Sequence, residues 1–111
     1  MRPSNIFTLG DMIIYVDIDG TICETPRSGS SWDYKNSKPR YEQILKINKL
    51  YSEGNEIVYW TARGSSSNID WSKFTKKQID NWGCCYTRIE KSKKPSFDLF
   101  IDDKSKRIEE I

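Results

Sequence analysis

The chain has 111 residues, enough for one domain with a modest core and too few for a separate substrate-binding domain. Its 18 Lys and Arg against 16 Asp and Glu leave a formal charge of +2, with the two signs interspersed, so it carries no electrostatic footprint for nucleic acid or an anionic membrane. It contains no histidine, which excludes His-based triads and the common zinc constellations.

In chain order, residues 1–11 read as a weakly specified leader. They hold one Arg and no long apolar region, so a signal peptide is not expected. The apolar runs further on are strand-length and soon meet charge, which argues against a membrane span and makes the cytoplasm the expected location. Residues 12–111 form the expected single domain. Residues 12–17 predict a buried strand, five apolar residues running into Asp17. From Glu24 to Lys38 the chain is turn chemistry, with Pro26, Gly29, a serine cluster and Asn36. That length marks it as a candidate lid or substrate loop. A helix is expected after Pro39, with Tyr41, Ile44, Leu45, Ile47, Asn48 and Tyr51 on its apolar face and Gly54 as its stop.

Ile57 to Trp60 predicts a second buried strand, ending at Thr61, and residues 64–68 a loop. A second helix is expected over roughly 71–82, with Phe74, Ile79 and Trp82 facing inward. Cys84 to Ile89 predicts a third strand and Phe97 to Ile101 a fourth, closing on Asp102-Asp103, with a charged tail after Lys104. Cys23, Cys84 and Cys85 form neither a CxxC pair nor an even disulfide framework and read as small buried hydrophobes. Trp60, Trp71 and Trp82 are expected in the core, whereas Trp32 and Tyr34 are placed to cover a site.

Alternating strands and helices with apolar runs covered on both faces predict an α/β fold with a mainly parallel sheet. Asp17 and Asp19, then Thr61, then Asp102 and Asp103 all leave strands at the carboxyl edge, where open α/β sheets bind ligands. Carboxylates gathered there repel one another unless a cation sits among them. An oxygen-only set suits Mg2+, which in turn recruits phosphate. Thr61, Lys94 and backbone amides of the turns, those of Ile18, Gly20 and Ala62, are candidate phosphate donors. Asp17, ending its strand, is placed to attack phosphorus. Asp19, two residues on, is placed to move protons, and Gly20 allows the tight turn between.

These residues resemble a known family. DIDGT at 17–21 is similar to the first signature of haloacid dehalogenase superfamily phosphatases, DxDGT. Thr61 in VYWTARG, Lys94 in KKP and Asp102-Asp103 in LFIDDK follow in that family's order, over essentially all of 12–104. The likeness is to small capless members associated with capsule polysaccharide biosynthesis, through KQIDNWG and SKKPSFDLFIDDK. Ser92-Lys93 replaces their glycine context before the lysine, and the KP pairing favours Lys94 over Lys93.

The resemblance implies a three-layer Rossmann-like fold without a cap domain, and a Mg2+-dependent phosphomonoesterase working through an aspartyl-phosphate. Asp17 would be nucleophile and metal ligand, and Asp19 acid/base and metal ligand through its carbonyl. Thr61 and Lys94 would hold the phosphoryl group, while Asp102 and Asp103 would complete the metal site. The implied substrate is a sugar phosphate or similar small ester.

Competing readings stay open at this point. An ordinary Asp-Gly turn explains Asp19-Gly20, though not Asp17 at a buried strand end. A phosphoacceptor module of the receiver type shares the residue types but not their chain order, and a nucleic-acid end phosphatase finds no support in the charge. Arg63 and Arg27 are candidates for reading the rest of the substrate. A small domain with an exposed sheet edge also leaves a homo-oligomer open.

Overall fold

The computed structural model describes residues 12–65, 68–91 and 99–101. Its centre is a four-stranded, all-parallel sheet of β1 (Ile13–Asp17), β6 (Glu56–Trp60), β7 (Arg88–Glu90) and β8 (Leu99–Ile101), in the order β7-β6-β1-β8. The fold is therefore α/β, as the alternation of elements predicts. The β1–β6 ladder runs from Ile13 opposite Glu56 to Asp17 opposite Trp60, so the whole first strand is matched.

From β1 the chain steps outward through α1 (Tyr41–Ser52) to β6, and again through α2 (Ser72–Asn81) to β7. Crossovers of this kind are right-handed, so two steps in one direction put both helices on one face. The core agrees: Ile14, Val16, Ile57 and Tyr59 from the strands pack with Ile44 and Ile47 of α1 and Ile79 of α2. Alternate residues point the other way, and Tyr15, Val58 and Phe100 make a second buried cluster with Ile13 and Trp60 against it. The described residues thus supply two layers of the expected three. The last strand returns to the far side of β1, so the strand order reverses between β1 and β8.

Several local expectations change. In α1, Ile44 and Ile47 are buried, while Leu45 is 65% exposed and Tyr41 and Tyr51 also face solvent. Leu45 is one residue on from Ile44, about 100° round the helix and off its narrow buried face. Asn48 fixes the far end of α2 instead of filling the core: its amide donates to the Gly83 carbonyl at 2.9 Å and its oxygen accepts from the Cys85 amide at 2.8 Å. That capture, with the Cys84 amide donating to Ile79, keeps residues 84–85 out of the ladder and delays the third strand. Among the cysteines only Cys23 is fully buried, and Cys85 is exposed. Trp60, Trp71 and Trp82 are half-buried, not core.

The long loop is a built strap. β2 (Cys23–Glu24) pairs antiparallel with β5 (Lys38–Pro39), and β3 (Arg27–Ser28) with β4 (Ser31–Trp32), and a single 3-10 turn over Tyr34–Asn36 lies between β4 and β5. Pro39 belongs to this strap, and α1 begins beyond it. Arg40 ties the strap to the turn after β1, its amide donating to Ile22 at 2.8 Å and its guanidinium to the Gly20 and Thr21 carbonyls. Among the described residues no helix is long and apolar enough to cross a membrane.

Candidate active site

The buried run of β1 delivers Asp17 to the carboxyl edge, where its Oδ1 accepts from the Ile18 amide at 3.0 Å. The chain then turns back on itself. The Thr21 and Ile22 amides both donate to the Ile18 carbonyl at 3.1 Å, and the Gly20 amide donates to Cys23 at 2.9 Å. Gly20 sits at φ +87°, a conformation that side chains rarely adopt. Asp19 is held inside this turn, bridged to Cys23.

Asp17 and Asp19 share the wall of a cavity of about 270 Å3 with Trp32, Tyr34, Trp60, Ala62, Arg63 and Ser65. The strap therefore contributes two aromatic walls, as expected for Trp32 and Tyr34. A larger cavity of about 630 Å3 lies between α2 and β7 and includes Thr61 and Arg63 but neither aspartate. The reactive groups lie in the smaller one, which is the candidate site.

The other expected residues divide. Thr61 is buried, donates its amide to Glu90 at 3.0 Å, and accepts the Arg63 amide on its hydroxyl oxygen at 3.0 Å. It borders the neighbouring cavity, not the one lined by the aspartates. Of the candidate amide donors, those of Ile18 and Gly20 are already engaged. The Ala62 amide has no partner among the described residues, and Ala62 lines the site. Arg27 stays outside the cavity wall, its guanidinium over the Trp32 ring at 4.4 Å. Lys93, Lys94, Asp102 and Asp103 lie outside the described residues.

Arg63 differs most from expectation. Its side chain is fully buried, and it grips both oxygens of Asp19, Nε to Oδ2 at 3.0 Å and Nη2 to Oδ1 at 2.8 Å. Nη1 donates to Gln78 at 2.7 Å and Thr75 at 3.3 Å, both on α2, and Nη2 also reaches Ser37 at 3.5 Å. The Tyr34 ring covers the guanidinium at 4.6 Å. All of its donors are thus engaged within the protein. Gly64, next along, holds φ +87°, and a Cβ there would collide with the Ile69 carbonyl oxygen. Only glycine lets the chain turn away so soon after Arg63.

Strap residues that sequence reasoning missed complete the shell. The Thr25 hydroxyl donates to Asp19 Oδ1 at 2.5 Å and lies 2.6 Å from Ser37. The Gln78 amide donates to the Tyr34 carbonyl at 2.9 Å. No periodicity or spacing marks Thr25, Ser37 or Thr75; Arg63 sits in TARG, two residues after Thr61, and Gln78 in KQIDNWG. The Cys23 thiol, 3.6 Å from Asp19, is pushed up to about 11 by burial and then by the Asp19 charge. Burial and the same charge also push the Tyr34 phenol up.

The donor set around the cavity is oxygen, and Cys23 remains a neutral thiol, so a hard cation fits better than a soft one. Among the described residues no three His, Cys, Asp or Glu side chains are grouped to hold a metal. Arg63 already balances Asp19, so the repulsion argument for a cation now rests on Asp17 and the aspartates that follow β8. The chain matches no protein-family model, and no curated protein matches it.

Proposed function

We propose that this protein is a Mg2+-dependent phosphomonoesterase that works through an aspartyl-phosphate on Asp17, with a three-layer, capless fold of the haloacid dehalogenase type. The observation that carries the reading is that Asp17 ends β1 at the point where the strand order reverses, on one cavity wall with Asp19. The DIDGT, TARG, KKP and IDDK stretches support it in order.

In this mechanism an Asp17 oxygen forms a bond to phosphorus while the ester P–O bond breaks, its electron pair leaving on the alcohol oxygen. Asp19 gives that oxygen a proton. It then takes one from the water that attacks the phosphorus and frees Asp17. Lys94 and the Ala62 amide hold the phosphoryl oxygens, while Thr61, outside this cavity wall, fixes the backbone at Arg63 through its hydroxyl. Asp17, Asp102, Asp103 and the Asp19 carbonyl would hold Mg2+, which when bound offsets charge on the phosphoryl group.

The substrate is small. A cavity of about 270 Å3 falls below the range of about 300–1,000 Å3 usual for drug-sized ligands. Its walls of Trp32, Tyr34 and Trp60 suit the flat face of a ring, which favours a sugar phosphate or similar small ester. The test is hydrolysis of p-nitrophenyl phosphate with and without Mg2+, followed by a panel of sugar phosphates, nucleotides and phosphoamino acids. Activity lost with EDTA and with Asp17→Asn supports the reading. Full activity of Asp17→Asn removes Asp17 as the nucleophile.

A further inference from the structure

We infer that Arg63 is a positioning residue for proton transfer, fixing the Asp19 carboxylate so that Oδ2 is the oxygen that carries the proton. This inference rests on the phosphomonoesterase reading and deepens it.

Arg63 has five N–H donors, and five acceptor contacts surround it. Nε reaches Asp19 Oδ2, Nη2 reaches Asp19 Oδ1 and Ser37, and Nη1 reaches Gln78 and Thr75. Burying a guanidinium is costly unless it is paired and its donors are satisfied, and here every donor has a partner. The backbone adds to the constraint: the Arg63 amide is tied to the Thr61 hydroxyl, and Gly64 turns the chain immediately after. The guanidinium fork is planar and rigid, so a carboxylate held bidentately loses its freedom to rotate.

The two oxygens of Asp19 are not equivalent. Oδ1 accepts from Arg63 Nη2 and the Thr25 hydroxyl, with the Cys23 thiol at 3.6 Å. Oδ2 accepts from Arg63 Nε, its one bond among the described residues. The Asp19 side chain keeps 29% of its surface accessible on the cavity wall. Oδ1 is fully used in holding the group, and Oδ2 has a lone pair left for chemistry. As the ester P–O bond breaks, the proton passes from Oδ2 to the leaving oxygen, which takes the bond's electron pair. The Oδ2 so exposed later accepts a proton from the attacking water.

This role separates from simple structural support by leaving-group dependence. An alcohol of high pKa needs a proton as it departs, whereas 2,4-dinitrophenolate does not. The experiment measures first-turnover release of the leaving group for wild type, Arg63→Lys, Arg63→Met and Gln78→Leu. The substrates are 2,4-dinitrophenyl, p-nitrophenyl, phenyl and methyl phosphate, and circular dichroism confirms the fold of each variant.

With Arg63→Met, methyl phosphate cleavage should fall on the order of 100-fold or more, the range of general acid assistance, while the dinitrophenyl ester changes only a few-fold. Arg63→Lys should fall between. Gln78→Leu keeps the ion pair but removes one anchor, so it should give a smaller loss with the same selectivity, and it stands in if Arg63→Met does not fold. Equal losses across the ester series in the folded variants would overturn the inference and leave the phosphomonoesterase reading intact. A wild-type protein inactive on every ester would overturn both.

Discussion

Val16 and Ile101 lie opposite each other in the parallel β1–β8 ladder; Asp17 closes β1, and Asp102 follows Ile101 in the sequence. The reversal of strand order falls between these two strands. The proposed metal site draws on both exits, and the two acids should fail differently. Asp17→Asn should remove activity at any Mg2+ concentration. Asp102→Asn should raise the Mg2+ needed for half-maximal rate on the order of 10–100-fold, as disturbed metal shells do, with much of the rate recovered at saturation. A Mg2+ titration of both variants separates them, and an unchanged titration for Asp102→Asn would remove it from the metal site.

Trp32 is 48% exposed at the mouth of the cavity, with Arg27 stacked on its ring. If it packs against the substrate's ring, Trp32→Ala should raise KM about 3–10-fold, the worth of one aromatic contact, and leave kcat nearly unchanged. Methyl phosphate, which has no ring, should be hydrolysed with unaltered KM. Arg27→Ala should shift KM in the same direction by less, because Arg27 supports the indole from outside the cavity.

The Thr21 hydroxyl is buried and has no hydrogen-bond partner among the described residues. In the turn after β1 it is the Thr21 backbone amide that is bonded, to the Ile18 carbonyl at 3.1 Å. A buried hydroxyl without a partner costs about 1–3 kcal/mol, and valine keeps the β-branched shape. Thr21→Val should therefore stabilise the protein by about 1 kcal/mol, raising the thermal midpoint by several degrees. A clear destabilisation in a melting experiment would show that the hydroxyl is satisfied in solution.

Burial raises the thiols of Cys23, up to about 11, and Cys84, up to about 12. In the unfolded chain such groups ionise near 8.5. Between those pH values the unfolded chain has released protons that the folded protein keeps, so the stabilisation is complete below about pH 8.5. It is lost as pH rises towards 11, by at most about 1.4 kcal/mol per pH unit and per thiol. Urea midpoints should fall between pH 8 and 10.5, and the fall should be shallower in Cys23→Ala. Alkylation at pH 8 should reach exposed Cys85 first and Cys23 last.

Much of the sheet was legible because strands buried on both faces are spelled as continuous apolar runs, as in IIYVD and EIVYW. The exit of β1 at Asp17 followed from the first of these runs. The strap was not legible, since its ladders are two residues long and leave no period to read. Arg63 was picked out for the substrate, and its pairing with Asp19 was not foreseen. Its contacts with Asp19 span 44 residues in sequence, and nothing local tells a buried cation from one that waits for substrate. The face of α1 was misread at Leu45 because apolar composition alone does not fix which stripe of a helix turns inward.

The anchors of Arg63 on Gln78 and Thr75 make α2 a mechanical part of the site, although none of its residues lines the cavity that holds the aspartates. The helix buries just two of its own residues, Thr75 and Ile79, and depends otherwise on polar ties, through Gln78 along its length and through Asn48 beyond its far end. A segment so lightly seated can detach at lower cost than the sheet can unravel. Under mild denaturant, catalysis would then disappear while the strands still stand, and the working temperature range would be set by one helix instead of by the whole domain.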